Sequence, residues 1–177
     1  FYQCSALTSL NLSRLSTANV TKMNGMFWGC LSLESIALSN FNTQKVTEMS
    51  WMFYQCSALT KIFSSKTWQC KESDDMFKGC TKLEGAVKYD ASKTDAKMAN
   101  PHTGYFTFSR EAYVQMSPDK KTLTFFYDTK RHTRSGTTWG IEEKHTKFTA
   151  FPAWAGIEEN PNSTTTKAVF DASFQNF

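Results

Sequence analysis

Four of the five cysteines recur along the first half of the chain at nearly constant spacing. They are Cys4, Cys30, Cys56 and Cys80, and Cys70 stands outside the series. If the segments that carry them stack one strand spacing apart, roughly 4.8 Å, distance alone does not exclude disulfides between neighbours. Each inner cysteine of the series would have a neighbour on both sides, so a disulfide with one neighbour would leave other cysteines unpaired. We therefore favour small buried thiols. No C-x-x-C spacing is present, which argues against a zinc site.

Other residues that could do chemistry do not form a recognisable catalytic or metal-binding pattern. The three histidines, His102, His132 and His145, are not spaced to share a metal ion. Asp74 and Asp75 are adjacent carboxylates that could bind a cation, although such pairs in loops are usually only solvated. There is no G-x-S-x-G elbow and no phosphate-binding glycine-rich loop. We therefore predict no catalytic residue, no metal site and no cofactor, and a hydrolase is the least supported alternative.

Cations and aromatic side chains are interleaved late in the chain. The segment 128–134 is basic, and these aromatic residues follow it: Trp139, Phe148, Phe151 and Trp154. Arg131 and Arg134 are candidate ligand-binding residues, because such a mixture can stack on bases or sugars or bind an acidic partner. A solvated hairpin connection with a small aromatic core is the alternative. No nucleic-acid motif accompanies the charge, and a net charge of +4 is too small to predict a nucleic acid as partner.

The elements that position these residues begin with a repeated segment. FYQCSALT starts at Phe1 and again at Phe53, and the related FWGCLSLE starts midway at Phe27. Two copies of 26 residues fit F-x-x-C-x-x-L-x-x-ϕ-x-L-S-x-ϕ-x-T-x-x-V-T-x-M-x-x-M, where ϕ is apolar; the third has 24, and the fourth, from Phe77, keeps only its first half. A period of this length indicates a stacked array, in which each copy needs a neighbour to cover its apolar face.

Apolar spacing differs between two parts of a copy. From Val20 to Leu33 most steps are three residues, typical of helical or 3-10 turns with one buried side. The next apolar residues are Leu33, Ile36 and Leu38, and the final step of two residues is the alternation expected of a short strand. We predict an α/β solenoid, a leucine-rich-repeat array of about three to four coils, each a strand plus a helical or 3-10 return, followed by a C-terminal β-rich segment. Thr17 and Thr43 would cap the helical parts, and methionines would fill the core.

The signature M-F-x-x-C-x-x-L-x-x-ϕ-x-L-S-x-F-N-T-x-x-V-T-x-M resembles the BspA-like surface leucine-rich repeat family of bacteria. The resemblance covers Phe1 to about Phe108 and is specific, because several non-consecutive identities recur in phase. Members of that family are exported or lipid-anchored. The resemblance therefore implies a surface protein for adhesion or ligand contact, and it provides no catalytic residues.

The repeat period disappears after Gly104. We take 66–105 as a cap and divide the chain into a repeat domain, 1–108, and a β-hairpin-containing segment, 109–177, which could lead into a further repeat block. EAYVQM and KTLTFFYD predict a hairpin whose turn is 117–120, since proline suits the second position of a type I turn. TTKAVFDASF predicts a third strand, and PAWAG and ENPNS predict loops.

Several array positions vary between copies while the template stays fixed, and we take these as candidate ligand-binding residues. They are Thr8, Asn11, Glu34, Ala37, Lys61 and Phe63, and Trp68 is a further aromatic candidate near the end of the array. We expect a non-catalytic cell-surface or secreted scaffold that binds a protein or glycan on a host or neighbouring cell, with a role in adhesion. A structural spacer for another domain is the alternative and would expose scattered polar residues instead of a patch.

Localisation is expected to be extracellular or at the cell surface. No apolar run reaches membrane-spanning length, so this segment is not predicted to insert into a membrane. The chain begins inside a repeat, at a Phe that other copies place after a Met. We therefore expect a longer protein, with any export signal or anchor upstream.

Overall fold

The computed structural model describes residues 1–141, 156–157, 160–161 and 165–173. The chain divides into two compact units, Phe1–Ser109 and Arg110–Phe177, termed the N-terminal unit and the C-terminal unit. The N-terminal unit contains the repeated copies.

A three-stranded parallel sheet aligns the copies of the N-terminal unit. Its strands are β1 (Ser35–Ala37), β2 (Lys61–Phe63) and β3 (Phe106–Thr107). The central residues Ile36, Ile62 and Phe106 lie directly across from one another, and each is at most 2 % exposed. Because side chains alternate between the two faces of a strand, this places one buried residue per strand in the core.

Backbone hydrogen bonds between copies continue outside the sheet. The Phe27 N–H donates to the carbonyl of Met52, 25 residues ahead, at 2.8 Å, and the Phe53 N–H donates to that of Met76, 23 residues ahead, at 2.9 Å. The separation falls by two because the third copy is two residues shorter. The shortening is thus absorbed within that copy, and the ladder around each Phe keeps its register.

The predicted α/β solenoid of leucine-rich-repeat coils is wrong. Its helical returns do not form: the described residues contain no α-helix, and their helical turns are short 3-10 turns such as Ala96–Met98 and Arg131–Thr133. The segment 20–33 is a succession of turns, each closed by a bond between residues three apart. Alternate N–H groups there donate to the next copy and are unavailable for bonds within a helix. The structure consists of short strands and turns in parallel and mixed sheets.

The same turns place two residues per copy in the left-handed backbone region. One series is Gln3, Gly29, Gln55 and Gly79, and the other is Gly25, Trp51 and Asp75. Both series follow the repeat period. Glycine adopts this conformation without steric cost, whereas a residue with a Cβ is disfavoured by about 1–2 kcal/mol.

A column of phenylalanine rings forms the centre of the N-terminal unit. Phe1, Phe27, Phe53 and Phe77 stack with centroid separations of 5.6, 5.3 and 5.6 Å. Tyr105 ends the column by packing edge-on against Phe77 at 5.4 Å. The Tyr105 hydroxyl donates to the Lys93 carbonyl at 2.9 Å and accepts from the Asp90 N–H. The predicted stacking of equivalent residues is confirmed.

The cysteine series is tied to this column. All five cysteines are free thiols. Cys30, Cys56 and Cys80 are completely buried, and each thiol donates to the Phe carbonyl of the preceding copy, at 3.2, 3.0 and 3.0 Å. Burial raises the pKa of Cys30 to about 11 and also raises that of Cys80. Of the two alternatives, buried thiols are confirmed for Cys30, Cys56 and Cys80, whereas Cys4 is exposed.

The predicted helix cap at Thr17 is also wrong. Thr17 is buried, and its hydroxyl donates to the Asn42 carbonyl at 3.0 Å and accepts from the Asn42 N–H at 2.7 Å. Because Asn42 belongs to the next copy, the threonine hydroxyl joins two copies, while its backbone carbonyl accepts from the Val20 N–H of its own turn. The predicted burial of methionines is confirmed for Met23, Met49 and Met52.

The C-terminal unit contains a mixed sheet with strand order β6-β4-β5-β9. These strands are β4 (Glu111–Met116), β5 (Thr122–Asp128), β6 (Thr138–Gly140) and β9 (Lys167–Phe170). β4 and β5 are antiparallel, and the Lys120 N–H donates to the Ser117 carbonyl across the turn. The predicted hairpin is therefore confirmed.

The remaining strands of this unit were predicted less well. β9 lies within the predicted third strand and pairs in parallel with β5, whereas β6 was not predicted. β7 (Gly156–Ile157) and β8 (Asn160–Pro161) form an antiparallel pair where loops were predicted. The predictions for His145, Phe148, Phe151 and Trp154 lie outside the described residues.

Replacing Gln55 by glycine should stabilise the protein. Gln55 has φ of +59°, so glycine removes the steric cost while keeping the N–H bond to the Lys78 carbonyl. After subtraction of the extra chain entropy of glycine, the free energy of unfolding should rise by about 0.5–1 kcal/mol in urea titrations. The control is Gln44→Gly, at an exposed position without positive φ, where the free energy of unfolding should fall by a similar amount. An equal fall in both variants would contradict the left-handed conformation of Gln55.

Thiol accessibility should separate Cys4 from its buried equivalents. In the native chain, iodoacetamide should modify the exposed Cys4 roughly a hundredfold or more faster than Cys30, Cys56 or Cys80. Burial keeps the reagent away from these three thiols and lowers the fraction that is ionised to the reactive thiolate. Mass spectrometry of peptides after timed labelling measures this, and labelling in urea is the control in which the rates converge. Rapid modification of Cys56 in the native chain would contradict its burial beside the phenylalanine column.

Candidate ligand-binding face

The most concentrated exposed feature of the N-terminal unit is a cluster of four aromatic residues, termed the aromatic strip. It consists of Tyr2, Trp28, Trp51 and Tyr54. The Trp28 ring is at its centre, with centroid distances of 5.4 Å to Tyr2, 4.8 Å to Tyr54 and 6.1 Å to Trp51. Tyr2 is 58 % and Trp51 41 % exposed. Clustered, solvent-accessible Tyr and Trp rings are typical of binding surfaces.

The phenylalanine column positions the strip. Tyr2, Trp28 and Tyr54 each follow a column Phe directly, so their side chains lie outside while the Phe ring lies inside. The equivalent residue of the fourth copy is Lys78, which forms an ion pair with Asp75 at 2.9 Å. The strip therefore crosses three copies and ends at an ion pair.

Trp51 joins the strip from a different repeat position. Its φ of +58° is in the left-handed region, where the preceding copy has Gly25. A Cβ at Gly25 would lie 3.7 Å from the rings of Tyr2 and Trp28, so this position adjoins the strip in both copies. A bulky aromatic residue in this conformation costs about 1–2 kcal/mol relative to an unstrained one.

A polar network lies close to this position in sequence. Lys22 Nζ is 2.6 Å from Glu48 Oε1, and Asn24 Nδ2 donates to Glu48 Oε2 at 2.8 Å. The hydrogen bond from Lys22 lowers the pKa of Glu48, and the same bond raises the pKa of Lys22. The charges of this pair cancel, and the Asn24 amide keeps hydrogen-bonding capacity.

The candidate residues predicted on the sheet side occupy a different surface. The Glu34 N–H donates to the Thr8 carbonyl, and Ala37 lies across from Phe63 in the sheet, so the structure brings these pairs together as the repeat predicts. Thr8, Glu34 and Ala37 are exposed, whereas Phe63 is half-buried. These residues are small, polar or partly covered, and they form no aromatic patch.

Three further candidates are engaged inside the N-terminal unit. Lys61 Nζ donates to the Glu84 carbonyl at 2.7 Å, and Asn11 Oδ1 accepts from the Ser13 N–H at 3.0 Å. Trp68 is 1 % exposed and stacks on Phe41 at 5.9 Å. Trp68 is therefore a core residue and offers no surface to a ligand.

The two candidate arginines are engaged within the C-terminal unit. Arg134 Nη2 is 2.8 Å from Asp128 Oδ2, and the guanidinium lies 3.7 Å above the Phe126 ring and donates to the Tyr113 hydroxyl. Arg131 Nη1 is 3.1 Å from a Glu111 carboxylate oxygen. Both cations are thus held by acidic residues of the same unit.

Burial and hydrogen bonding shift the titration of this cluster. Burial raises the pKa of Tyr113 to about 12. Burial acts in the same direction on Asp128, but hydrogen bonds from the Lys130 N–H, Tyr113 and Arg134 outweigh it and lower the pKa of that carboxyl.

The acidic pair and the histidines that the structure describes do not form a combined site. Asp75 is bonded to Lys78, and the His102 ring packs edge-on against Phe108 at 5.1 Å. Within 1–141 and the short later ranges that the structure describes, no group of three or more His, Cys, Asp or Glu residues could hold a metal ion. In the same residues, no helix has the length and apolar content needed to cross a membrane.

The sequence contained a signal for the strip that was not used. Tyr2, Trp28 and Tyr54 occupy one column of the repeat, directly after the template Phe. Most candidate positions predicted from the repeat lie on the predicted strands, and Trp51 lies at another repeat position. Only the turn geometry brings Trp51 against Trp28.

The stacked copies and their inter-copy hydrogen bonds define a repeat-containing protein. A family model described as "Mycoplasma protein of unknown function, DUF285" matches residues 1–113. The chain belongs to this family, which is bacterial, surface-associated and uncharacterised. No curated protein and no solved structure matches the chain.

Asp128→Asn should destabilise the protein at neutral pH but not in acid. The folded-state pKa of Asp128 is lowered, so its stabilising effect is present above the unfolded value of about 3.9 and is lost as pH falls through the folded pKa. Urea unfolding at pH 7 should show a loss of about 2 kcal/mol, which disappears near pH 2. The exposed Asp74→Asn is the control and should have little effect. An equal loss at both pH values would contradict the assignment.

Proposed function

We propose that this chain is a non-catalytic binding module of a bacterial surface protein, which contacts a protein or glycan on a host or neighbouring cell. The observation that carries the proposal is the aromatic strip. The Tyr2 and Trp51 side chains are 58 % and 41 % exposed, and those of Trp28 and Tyr54 beside them are half-buried. Concentrated aromatic surface of this kind provides contact area at low cost in side-chain entropy.

The same observation weighs against the spacer alternative. A module that only separates other domains needs covered ends and a soluble surface, which scattered polar residues supply. Three consecutive copies instead present an aromatic residue at one position. The resemblance to BspA-like surface proteins supports adhesion as the setting of the contact.

Binding is assigned to the N-terminal unit in preference to the basic segment 128–134. Arg131 and Arg134 of that segment are paired with Glu111 and Asp128, and separating them would leave partly buried carboxylates without their partners. The aromatic strip loses no comparable interaction when a ligand covers it.

Tyr2→Ala tests the proposed function. The purified chain, carrying a fluorescent label, is titrated onto host epithelial cells and onto immobilised matrix proteins and glycans. Tyr2→Ala should weaken binding about fivefold, since one exposed aromatic contact contributes on the order of 1 kcal/mol. The control is Leu15→Ala, which removes another exposed apolar side chain away from the strip. Equal binding by both variants and the native chain, or no binding by any, would refute the proposal.

A further inference from the structure

The backbone at Trp51 is the starting point for naming a ligand class. Trp51 is an exposed tryptophan with a left-handed backbone. The preceding copy has Gly25 at the same position, so the architecture accommodates glycine there at lower conformational cost. Gln3, Gln55 and Asp75 adopt the same conformation at the two repeat positions, and what distinguishes Trp51 from them is a large aromatic side chain that is 41 % exposed.

The spacing of the rings indicates an extended ligand. Tyr2, Trp28 and Tyr54 come from consecutive copies, and their centroids are separated by 5.4 and 4.8 Å. This interval is close to the strand spacing, because stacking of the copies sets it. A ligand that runs along the stack meets one ring per copy. The length of one hexose in an extended β-linked chain is similar to this interval.

The orientation of the rings fits a ligand that is apolar on some faces and polar at its edges. Trp28 is tilted by 61° to Tyr2 and by 50° to Tyr54, so the rings form a corrugated surface instead of one flat platform. Sugar rings present C–H groups on their faces, which pack against aromatic rings. Their hydroxyl groups lie at the edges and need hydrogen-bonding partners.

The polar groups next to the strip are mainly neutral. Gln3 and Gln55 follow the strip tyrosines and are exposed, and Asn24 precedes Gly25. The charges near the strip are paired, Lys22 with Glu48 and Lys78 with Asp75. A nucleic acid would need unpaired cations along its backbone. Carboxamides and a carboxylate suit the hydroxyl groups of an uncharged sugar.

We propose that the aromatic strip binds a linear, uncharged oligosaccharide that lies across consecutive copies. Tyr2, Trp28 and Tyr54 each contact one sugar unit, and Trp51 covers the side of the central unit. The inference rests on the proposed binding function and gives it a ligand class. A protein partner on the same strip is the competing outcome.

Trp51→Gly tests the inference, because it should separate binding from stability. The probes are cellohexaose and N-acetylglucosamine hexamer, titrated against the full chain with calorimetry and tryptophan fluorescence. Glycine should raise the unfolding midpoint, since it relieves the left-handed backbone, yet weaken binding of the hexasaccharide about tenfold or more. Trp51→Phe keeps an aromatic ring at the same site and should retain affinity within about threefold. The combination of higher stability and weaker binding cannot result from partial unfolding.

Oligosaccharide length provides a second readout. Affinity should rise from the disaccharide to the trisaccharide or tetrasaccharide and then level off, because the strip spans three copies. Binding of neither hexasaccharide, or binding that Trp51→Gly leaves unchanged, would overturn the inference. If matrix proteins bind in a Trp51-dependent manner while sugars do not, the inference is overturned and the proposed binding function stands. If Tyr2→Ala also leaves all cell binding unchanged, the proposed function fails as well.

Discussion

Register between neighbouring copies is the constraint on which the N-terminal unit depends. The backbone N–H groups of Phe27 and Phe53 each donate to the next copy, which fixes the height of one copy above another. Only at that height do the phenylalanine rings stack at 5.3–5.6 Å. The carbonyl of the same Phe accepts the thiol of the next copy's cysteine, as in the pair Cys56 and Phe27. Ring, thiol and backbone bond therefore depend on one alignment.

This alignment also determines what the outer surface can display. With Phe27 fixed inward, the residue after it must lie outward, and a column of such residues forms a face with the spacing of the stack. The left-handed turns add a second outward position, occupied by Gly25 in one copy and Trp51 in the next. Surface chemistry can therefore change from copy to copy while the core stays constant, within the limit that the turn conformation penalises large side chains.

The C-terminal unit uses its polar residues differently. In a small mixed sheet, Arg134 covers the Phe126 ring and satisfies Asp128 and Tyr113 at the same time. A planar guanidinium can do this because it stacks through its face and donates through its edge. The positive charges of Arg131 and Arg134 are thus part of the internal structure of the unit, whereas the charges near the aromatic strip of the N-terminal unit form their own ion pairs.

The sequence by itself determined the repeat, the buried thiols and the β4–β5 hairpin, because each depends on local or strictly periodic residue types. It did not determine the conformation of the segments between strands, because residues three apart lie on one side both in a helix and in consecutive turns. These segments form turns because two residues per copy are left-handed and alternate N–H groups donate to the next copy. The burial of Trp68 and the position of Trp51 beside Trp28 were decided by tertiary structure alone. Both result from contacts between copies, and the spacing of residues within one copy does not encode them.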